Sequence, residues 1–501
     1  MKNILFSLII LVSVSSCKLP GKNEISESSL NYPKIHYSST EHNVGAPLSF
    51  IFQHGTYSLF YNGFNLDKKV NNQTYVTTSK DLIHWQPGHK IEFSSRELNI
   101  LKTTIVLDPK TSVLSALIII DPDKIEDNNN CYFLLSKSNN QGKTWSECND
   151  RINFPIPIKN DFNPTLIWDE IHGKWILTII DDQIVKFFSS SDLKKWTFEC
   201  SLEKELQYHA NIWNKATVFP INKTDWVILI DQEFVNPRDG SSVQYFIGSF
   251  DGQKFTTPVS TKSHWLDYGK DNIFDVVCQG LPINSAPIVT AWKNNADYVM
   301  IGSMKPFWGS FTIPRTLSLT EYSGEKILAS EPVKALKTLK NKNTTLTDLD
   351  VTEKLDISTK IPVSLSPSLI TLIFETTDKT RMTFPSSFGI LLENDKSEKL
   401  IVGYDSFKEW YFIDRTDFIS VNNNSQFKGM DIMPCYHSDS LMVLKMIIDD
   451  SSMELFTEKG KLVMTDNFNA QQRFNKVTLF AENGIIKVKT LSISNLESIK
   501  K

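Results

Sequence analysis

The sequence predicts an all-β protein, a five-bladed β-propeller followed by a C-terminal β-sandwich. Three observations carry this expectation. An apolar, strand-like run recurs at a propeller-like period, a polar turn ending in an aromatic follows four of those runs, and tryptophan nearly vanishes beyond residue 310.

The runs are "GTYSLFYNG" at Tyr57, "SALIIID" at 115–121, "GKWILTIID" at Trp175, "TDWVILID" at Trp226 and "NADYVMIGS" at Tyr298. β-Branched and aromatic residues bounded by polar turns read as strands. A mean spacing of roughly 60 residues suits propeller blades, whereas solenoids repeat at a shorter period. The turns are "SKDLIHW" ending at Trp85, "SNNQGKTW" at Trp145, "SDLKKW" at Trp196 and "FDGQKF" at Phe255. Their Gly, Asp and Asn residues suit hairpins.

Ten of the eleven tryptophans precede residue 310, and only Trp410 follows. Residues 336–350, charged and rich in Thr and Asn, read as a linker. Short alternating runs beyond it, such as "SLITLIFET", "LIVGYD" and "LMVLKMIIDD", suggest an antiparallel sandwich. The expected layout is a signal segment at 1–17, a tether at 18–31, a propeller at 32–335, the linker, and a sandwich at 351–501.

The net charge of −4, without a basic run, argues against a nucleic-acid partner. "MKNILFSLIILVSVSSCKLPGK" has Lys2, an apolar run from Ile4 to Val12 and small residues before Cys17. That run is too short to span a bilayer and reads as a cleaved export signal. "VSSC" at 14–17 resembles a bacterial lipobox. The resemblance implies an exported lipoprotein whose lipidated Cys17 anchors it to a membrane, in the periplasm or at the cell surface. Several acyl chains on one Cys would make that anchor stable.

Five cysteines remain, Cys131, Cys148, Cys200, Cys278 and Cys435, and an odd number leaves at least one thiol unpaired. No C-x-x-C or H-E-x-x-H spacing, nucleophile elbow or Gly-rich phosphate loop occurs, so no metal or cofactor is expected.

The innermost strands of a propeller line its channel, and ligand sites gather at one mouth. Counting back from the aromatic of the second strand makes Ala46, Asn163 and Asn214 equivalent. Ala46-Pro47, Asn163-Pro164 and Ala286-Pro287 also share a proline, which holds the preceding residue extended.

Segments such as "SFIFQHGTYSLFYNG", "TTSKDLIHWQP", "DFNPTLIWDEIHGKW", "IWNKATVFP", "WLDYGKD" and "MKPFWGSFTIPRTLSL" give the chain a specific likeness. It resembles glycoside hydrolase family 32, the β-fructosidases that include invertases, levanases and inulinases. The likeness continues through "IVGYD", "FIDRT" and "IIDDSSMELFTEKGKLVMT". It implies the same propeller joined to a sandwich.

It also implies retaining chemistry, which needs two carboxyl groups roughly 5 Å apart, one a nucleophile and the other a proton donor. The family's nucleophile is the Asp of Trp-Met-Asn-Asp-Pro-Asn-Gly, and "NVGAPLS" sets Ala46 there. Its transition-state stabiliser is the Asp of Arg-Asp-Pro, matched by Phe162 and Asn163, and its acid/base is the Glu of Trp-Glu-Cys-Pro-Asp, matched by Asn214. All three carboxylates are absent. The pocket differs too: Thr74-Tyr75 replaces a Trp-Gly pair, Lys102-Thr103-Thr104 a Ser-Gly-Ser, Asn62 a Gln, and Phe307-Trp308-Gly309 a Trp-Arg-Gly.

The leading expectation is a catalytically silent relative that binds a glycan, with fructan one candidate. Trp213, Phe307 and Trp308 would stack on sugar rings, and Asn62, Gln73, Asn163, Asn214 and Lys215 would bond hydroxyls. One alternative is an active β-fructosidase on levan, inulin or sucrose, using relocated acids among Glu41, Asp161, Asp267, Asp271 and Asp275. A second is a protein-interaction scaffold whose funnel is plugged by Phe162, Phe307 and Lys102.

Overall fold

The computed structural model describes residues 32–65, 70–93, 98–121, 131–147, 151–159, 161–202, 212–233, 241–258, 263–295, 309–361, 364–376, 384–418, 429–437 and 439–500. The Tyr298 run, Phe307, Trp308, Cys148 and Cys17 lie outside these residues.

The recurring turn explains why the blades repeat. In "SKDLIHW" the Ser79 hydroxyl accepts the Leu82 N–H at 2.9 Å, and the Trp85 indole donates to the Leu82 carbonyl at 3.0 Å. Ser138, Gly142 and Trp145 repeat both bonds in "SNNQGKTW", and Ser190, Leu193 and Trp196 repeat them in "SSDLKKW", where the bonding serine stands one residue before the run "SDLKKW". Leu82, Gly142 and Leu193 all have positive φ, a conformation strained for leucine and free for glycine. The indole, buried at Trp196 and half-buried at Trp85 and Trp145, holds each turn shut, so "S-x-D-L-x-x-W" is a structural device.

Each turn links the third and fourth strands of a blade. Blade one is Asn43–Gln53, Thr56–Asn65, Val70–Ser79 and His89–Lys90; blade two is Ile100–Leu107, Leu114–Ile120, Tyr132–Ser138 and Arg151–Ile152. Blade three is Thr165–Asp169, Lys174–Asp181, Ile184–Ser190 and Thr197–Leu202. Blade four is Ile212–Pro220, Trp226–Glu233, Ser242–Phe250 and Phe255–Thr256, with His264–Asp267 added beside its third strand. Blade five is Ile273–Gln279, Ile288–Trp292, Arg315–Tyr322 and Glu325–Pro332. Its inner strand pairs in parallel with that of blade one through Phe50 and Cys278, which closes the ring.

Neighbouring blades share apolar cores. Ile51, Phe60 and Ile118 join blades one and two, and Phe133, Phe162, Trp175 and Phe188 join two and three. Trp213, Trp226 and Phe250 pack on blade three, while Val227, Tyr245, Val289 and Leu317 join four and five. Burial of apolar area at about 25 cal/mol per Å² makes these cores the main source of ring stability.

Two expectations change. The inner strand of blade five is Ile273–Gln279, so Ala286-Pro287 lies between its first and second strands and is not equivalent to Ala46. Ala286-Pro287 shares only the proline, which extends the residue before it wherever it stands in a blade.

The expected linker at 336–350 is also absent. A short 3-10 turn, Lys334–Leu339, leads into the strand Lys340–Asp356, which pairs with the 21-residue strand Lys476–Leu496. Most of its residues are exposed, so no apolar face marks it in the sequence. The long strand bends across the sandwich, pairing first with Ser387–Glu393 and later with Ser368–Glu375.

Propeller and sandwich share one core, in which Ile35, Phe311, Ile313 and Leu336 meet Leu369, Ile447, Phe456 and Val463. Buried charges cross the same boundary. Arg315 bonds Asp267 at 2.7 Å and Glu454 at 2.8 Å, and His36 bridges Asp449 at 2.7 Å and Glu454 at 2.9 Å.

Candidate functional site

Inner strands carry register shifts near their starts. They fall between Val44 and Pro47 in blade one, Ile100 and Lys102 in blade two, Trp213 and Lys215 in blade four, and Ile273 and Val276 in blade five. A bulge leaves a residue without a cross-strand partner and re-aims its side chain, and such bulges gather beside binding sites. Ala46 and Asn214 both occupy bulges, and Asn163 precedes the inner strand of blade three. Blades one and four thus share a bulge at the expected position, whereas the Thr165–Asp169 strand of blade three pairs without a register shift.

The blade-one bulge is held tightly. The Trp292 indole donates to the Val44 carbonyl at 2.8 Å, and a Cβ on Gly45 would stand 2.8 Å from the Asn62 carbonyl oxygen. Ala46 itself is half-buried. The Asn163 amide donates to the Asn214 carbonyl at 3.1 Å, joining the two positions across blades. The Asn214 Nδ2 is buried and has no hydrogen-bond partner among the described residues.

Lys215 follows that bulge and turns inward, where its ammonium donates to the Asp275 carbonyl at 2.6 Å. Burial lowers its pKa, against the opposing pull of Asp231 and Asp275. Burial pushes Asp231 up to about 6, with Lys215 opposing, and its Oδ1 accepts the Phe274 N–H at 2.5 Å. Asp275 is pushed up to about 7 by burial and by Asp231, and its Oδ2 accepts from Asn272 at 2.7 Å. Lys215 is thus part of a wall-embedded trio and not an open donor. Asp231 was not singled out in the sequence, where the one signal was an acid closing the apolar run "VILID".

The other expected residues separate clearly. Trp213 is 4% exposed and packs with Ile176, Trp226 and Phe250, so it joins blades and offers no sugar platform. Phe162 is 1% exposed within the core of blades two and three, so it plugs nothing. Its neighbour Asn163 faces the other way because side chains alternate along an extended segment. Asn62 and Gln73 are half-buried on the second and third strands of blade one. Lys102 is largely buried, which lowers its pKa, while Asp161 and Glu233 oppose that shift.

Relocated acids fare no better. Asp267 is consumed by Arg315 and by the Thr465 hydroxyl and N–H, and the Asp271 carboxylate accepts the Asn467 N–H at 2.7 Å. Both lie at the boundary with the sandwich. Glu41 and Asp161 are exposed, and Asp275 is buried in the wall. No group of three or more His, Cys, Asp or Glu residues suited to a metal ion occurs among the described residues.

Comparison with known proteins agrees with this scaffold. The model of the glycosyl hydrolases family 32 N-terminal domain matches residues 36–332, and that of the family 32 C-terminal domain matches residues 327–497. A levanase of Bacillus subtilis is 25% identical over 488 residues, covering 93% of this chain and 70% of the relative. A levanbiose-producing levanase of the same organism is 24% identical, covering 93% of this chain and 90% of its own. Among solved structures, an exo-inulinase from Aspergillus awamori superposes with a TM-score of 0.80 at 20% identity, covering 93% of this chain and 98% of its own. A fructofuranosidase from Schwanniomyces occidentalis complexed with fructosylnystose gives a TM-score of 0.80 at 20% identity, covering 95% and 99%.

Proposed function

Because the chain belongs to glycosyl hydrolase family 32 and yet has Ala46, Asn163 and Asn214 where the family's three carboxylates are expected, we propose that it binds a glycan without cleaving it. The observation that carries this reading is the contact between the Asn163 amide and the Asn214 carbonyl, at two positions where the family resemblance leads one to expect acids. Retaining hydrolysis needs a carboxylate nucleophile and a carboxylic acid donor, and alanine and asparagine supply neither. Fructan is the first glycan to test, since relatives named levanase, inulinase and fructofuranosidase share the fold. The half-buried amides of Asn62, Gln73 and Asn163 support binding of hydroxyl groups. Cys17 would hold the protein to a membrane as a lipoprotein.

A second reading has one observation in its favour. Asp231 and Asp275 are two neighbouring acids with raised pKa values, the pattern of a carboxylate pair sharing a proton. Their complete burial beside Lys215 weighs against contact with a polysaccharide.

The test uses protein lacking residues 1–17, assayed for fructose release from levan, inulin and sucrose and for retardation in gels containing levan or inulin. The expected result is retardation without release. Turnover that disappears in Asp231→Asn or Asp275→Asn would establish the second reading instead.

A further inference from the structure

With Trp213 buried, the funnel rim needs another apolar surface if a sugar ring is to dock, and blade one supplies one. Tyr75 lies on the third strand of blade one, opposite Tyr61 and two residues from Gln73. Tyr61, Gly63, Gln73 and Tyr75 share one face of that hairpin, because register partners and alternate residues point the same way. The face turns toward blade five, where the Tyr61 ring meets Phe311 edge-on at 5.4 Å.

Tyr75 is fixed from behind. The His42 imidazole stacks on its ring at 3.9 Å between centroids, 16° from parallel. His42 is in turn fixed by a 2.9 Å bond to the Tyr61 hydroxyl, which also meets the Tyr37 hydroxyl at 2.8 Å. Tyr61 is fully buried, whereas Tyr75 is half-exposed. Gly63 completes the support: a Cβ there would overlap the Tyr75 ring, so only glycine admits the ring in this position.

A half-exposed aromatic would ordinarily lose entropy on binding. One already immobilised by a stacked histidine and a buried hydroxyl chain loses little, which is the physical meaning of a preorganised contact. Around its open part stand the Gln73 amide, whose oxygen is 3.4 Å from the Tyr75 hydroxyl, and the Glu41 carboxylate, which acts electrostatically on both Tyr75 and His42. An aromatic face edged by an amide and a carboxylate matches a sugar ring, which has a C–H face and hydroxyl edges. The carboxylate disfavours an acidic sugar.

From this geometry we propose that Tyr75 is a stacking platform for a neutral sugar ring, forming an outer subsite on the blade-one rim, with Gln73 and Glu41 bonding its hydroxyls. The proposal rests on the glycan-binding reading and names where part of the glycan sits.

Tyr75→Ala, Tyr75→Phe and Gly63→Ala are compared with the parent protein by affinity electrophoresis against levan, inulin and soluble neutral glucans, galactans and mannans. Circular dichroism checks that each variant is folded. For whichever polysaccharide retards the parent, Tyr75→Ala is expected to weaken binding about ten-fold, and Tyr75→Phe by no more than about two-fold. Gly63→Ala displaces the ring without deleting it, and should fall with Tyr75→Ala. Parent-like retardation of folded Tyr75→Ala or Gly63→Ala overturns the platform and leaves glycan binding intact. A parent protein held by none of these polysaccharides overturns both.

Discussion

The funnel wall and the boundary between propeller and sandwich treat acids in opposite ways. At the boundary, Asp267, Asp449 and Glu454 are buried, but each accepts several hydrogen bonds from Arg315, His36 or backbone N–H groups. In the funnel, the three positions where the family resemblance leads one to expect acids hold Ala46, Asn163 and Asn214. Under the proposed reading, the difference separates two uses of a carboxylate. An acid that organises the chain cannot be lost without stranding its partners, whereas an acid that faces only a substrate can be lost at no cost to the fold.

The largest expected effect therefore lies at the boundary. Although burial alone would raise the Glu454 pKa, Arg315 and then His36 hold it down at about 2. Glu454→Ala takes one of the two acids that neutralise buried Arg315 and removes the partner of His36 Nε2 and the acceptor of the Ile313 N–H, so a loss of about 3–5 kcal/mol is expected in denaturant unfolding. A loss below about 1 kcal/mol would erase the contrast between the two regions.

The two regions also differ in how stability responds to pH. The depressed Glu454 stabilises the fold above its ordinary value, and that contribution disappears as pH falls toward about 2. Asp231 and Asp275 have the opposite sign. Raised to about 6 and about 7, they bind protons more tightly when folded, so their contribution is present in acid and is lost as pH rises from about 4 to about 7. Asp231→Asn keeps the acceptor for the Phe274 N–H and removes the charge beside Asp275. It should flatten the fall in unfolding midpoint over that window, by an amount on the order of 2 kcal/mol. Asp271, raised to about 6 at the boundary, leaves a residual slope.

Asn163→Asp is a smaller test within the funnel. The Asn163 amide points at the carbonyls of Asn214 and Asp161, 3.1 and 3.4 Å away. A carboxylate there would meet two acceptors in place of a donor's two partners, costing about 1 kcal/mol at neutral pH. The loss should shrink below about pH 4, where the new acid is protonated and can donate. A pH-independent change in midpoint would mean that the amide bond contributes nothing.

Much of the fold was legible in the sequence because the blades repeat one mechanical solution. A serine hydroxyl, a positive-φ residue and an indole recur at the same spacing in blades one and three and with one more residue in blade two, so the turns could be recognised without a structure. The strand Lys340–Asp356 was illegible because most of its side chains face water and only Leu346, Leu349, Val351 and Leu355 reach the sandwich core, at spacings that do not keep the strict alternation of a half-buried strand. The site was legible only where it follows the repeat. Ala46 and Asn214 each stand at a bulge near the start of an inner strand, in blades one and four, and a count along the chain finds them both. Trp213 was misread because an aromatic beside a bulge can turn toward the funnel or between blades, and Ile176 and Trp226 supply an apolar seat between blades. Tyr75 went unweighted because its orientation depends on His42, 33 residues away in sequence, and on the missing side chain of Gly63.

The smallest expected effect belongs to the residue that would be called most consequential in a working hydrolase. Ala46 sits half-buried at a bulge whose shape is set by Gly45, by the Trp292 bond to Val44 and by Pro47, none of which involves the Ala46 side chain. Ala46→Asp should therefore shift stability by no more than about 0.5 kcal/mol. It should also release no fructose from levan, inulin or sucrose. A nucleophile without a proton donor leaves the glycosidic oxygen a poor leaving group, and Asn214 has no acidic proton to give. Fructose release by this single variant would mean that an acid elsewhere protonates the leaving group, and that the scaffold had kept half of its chemistry.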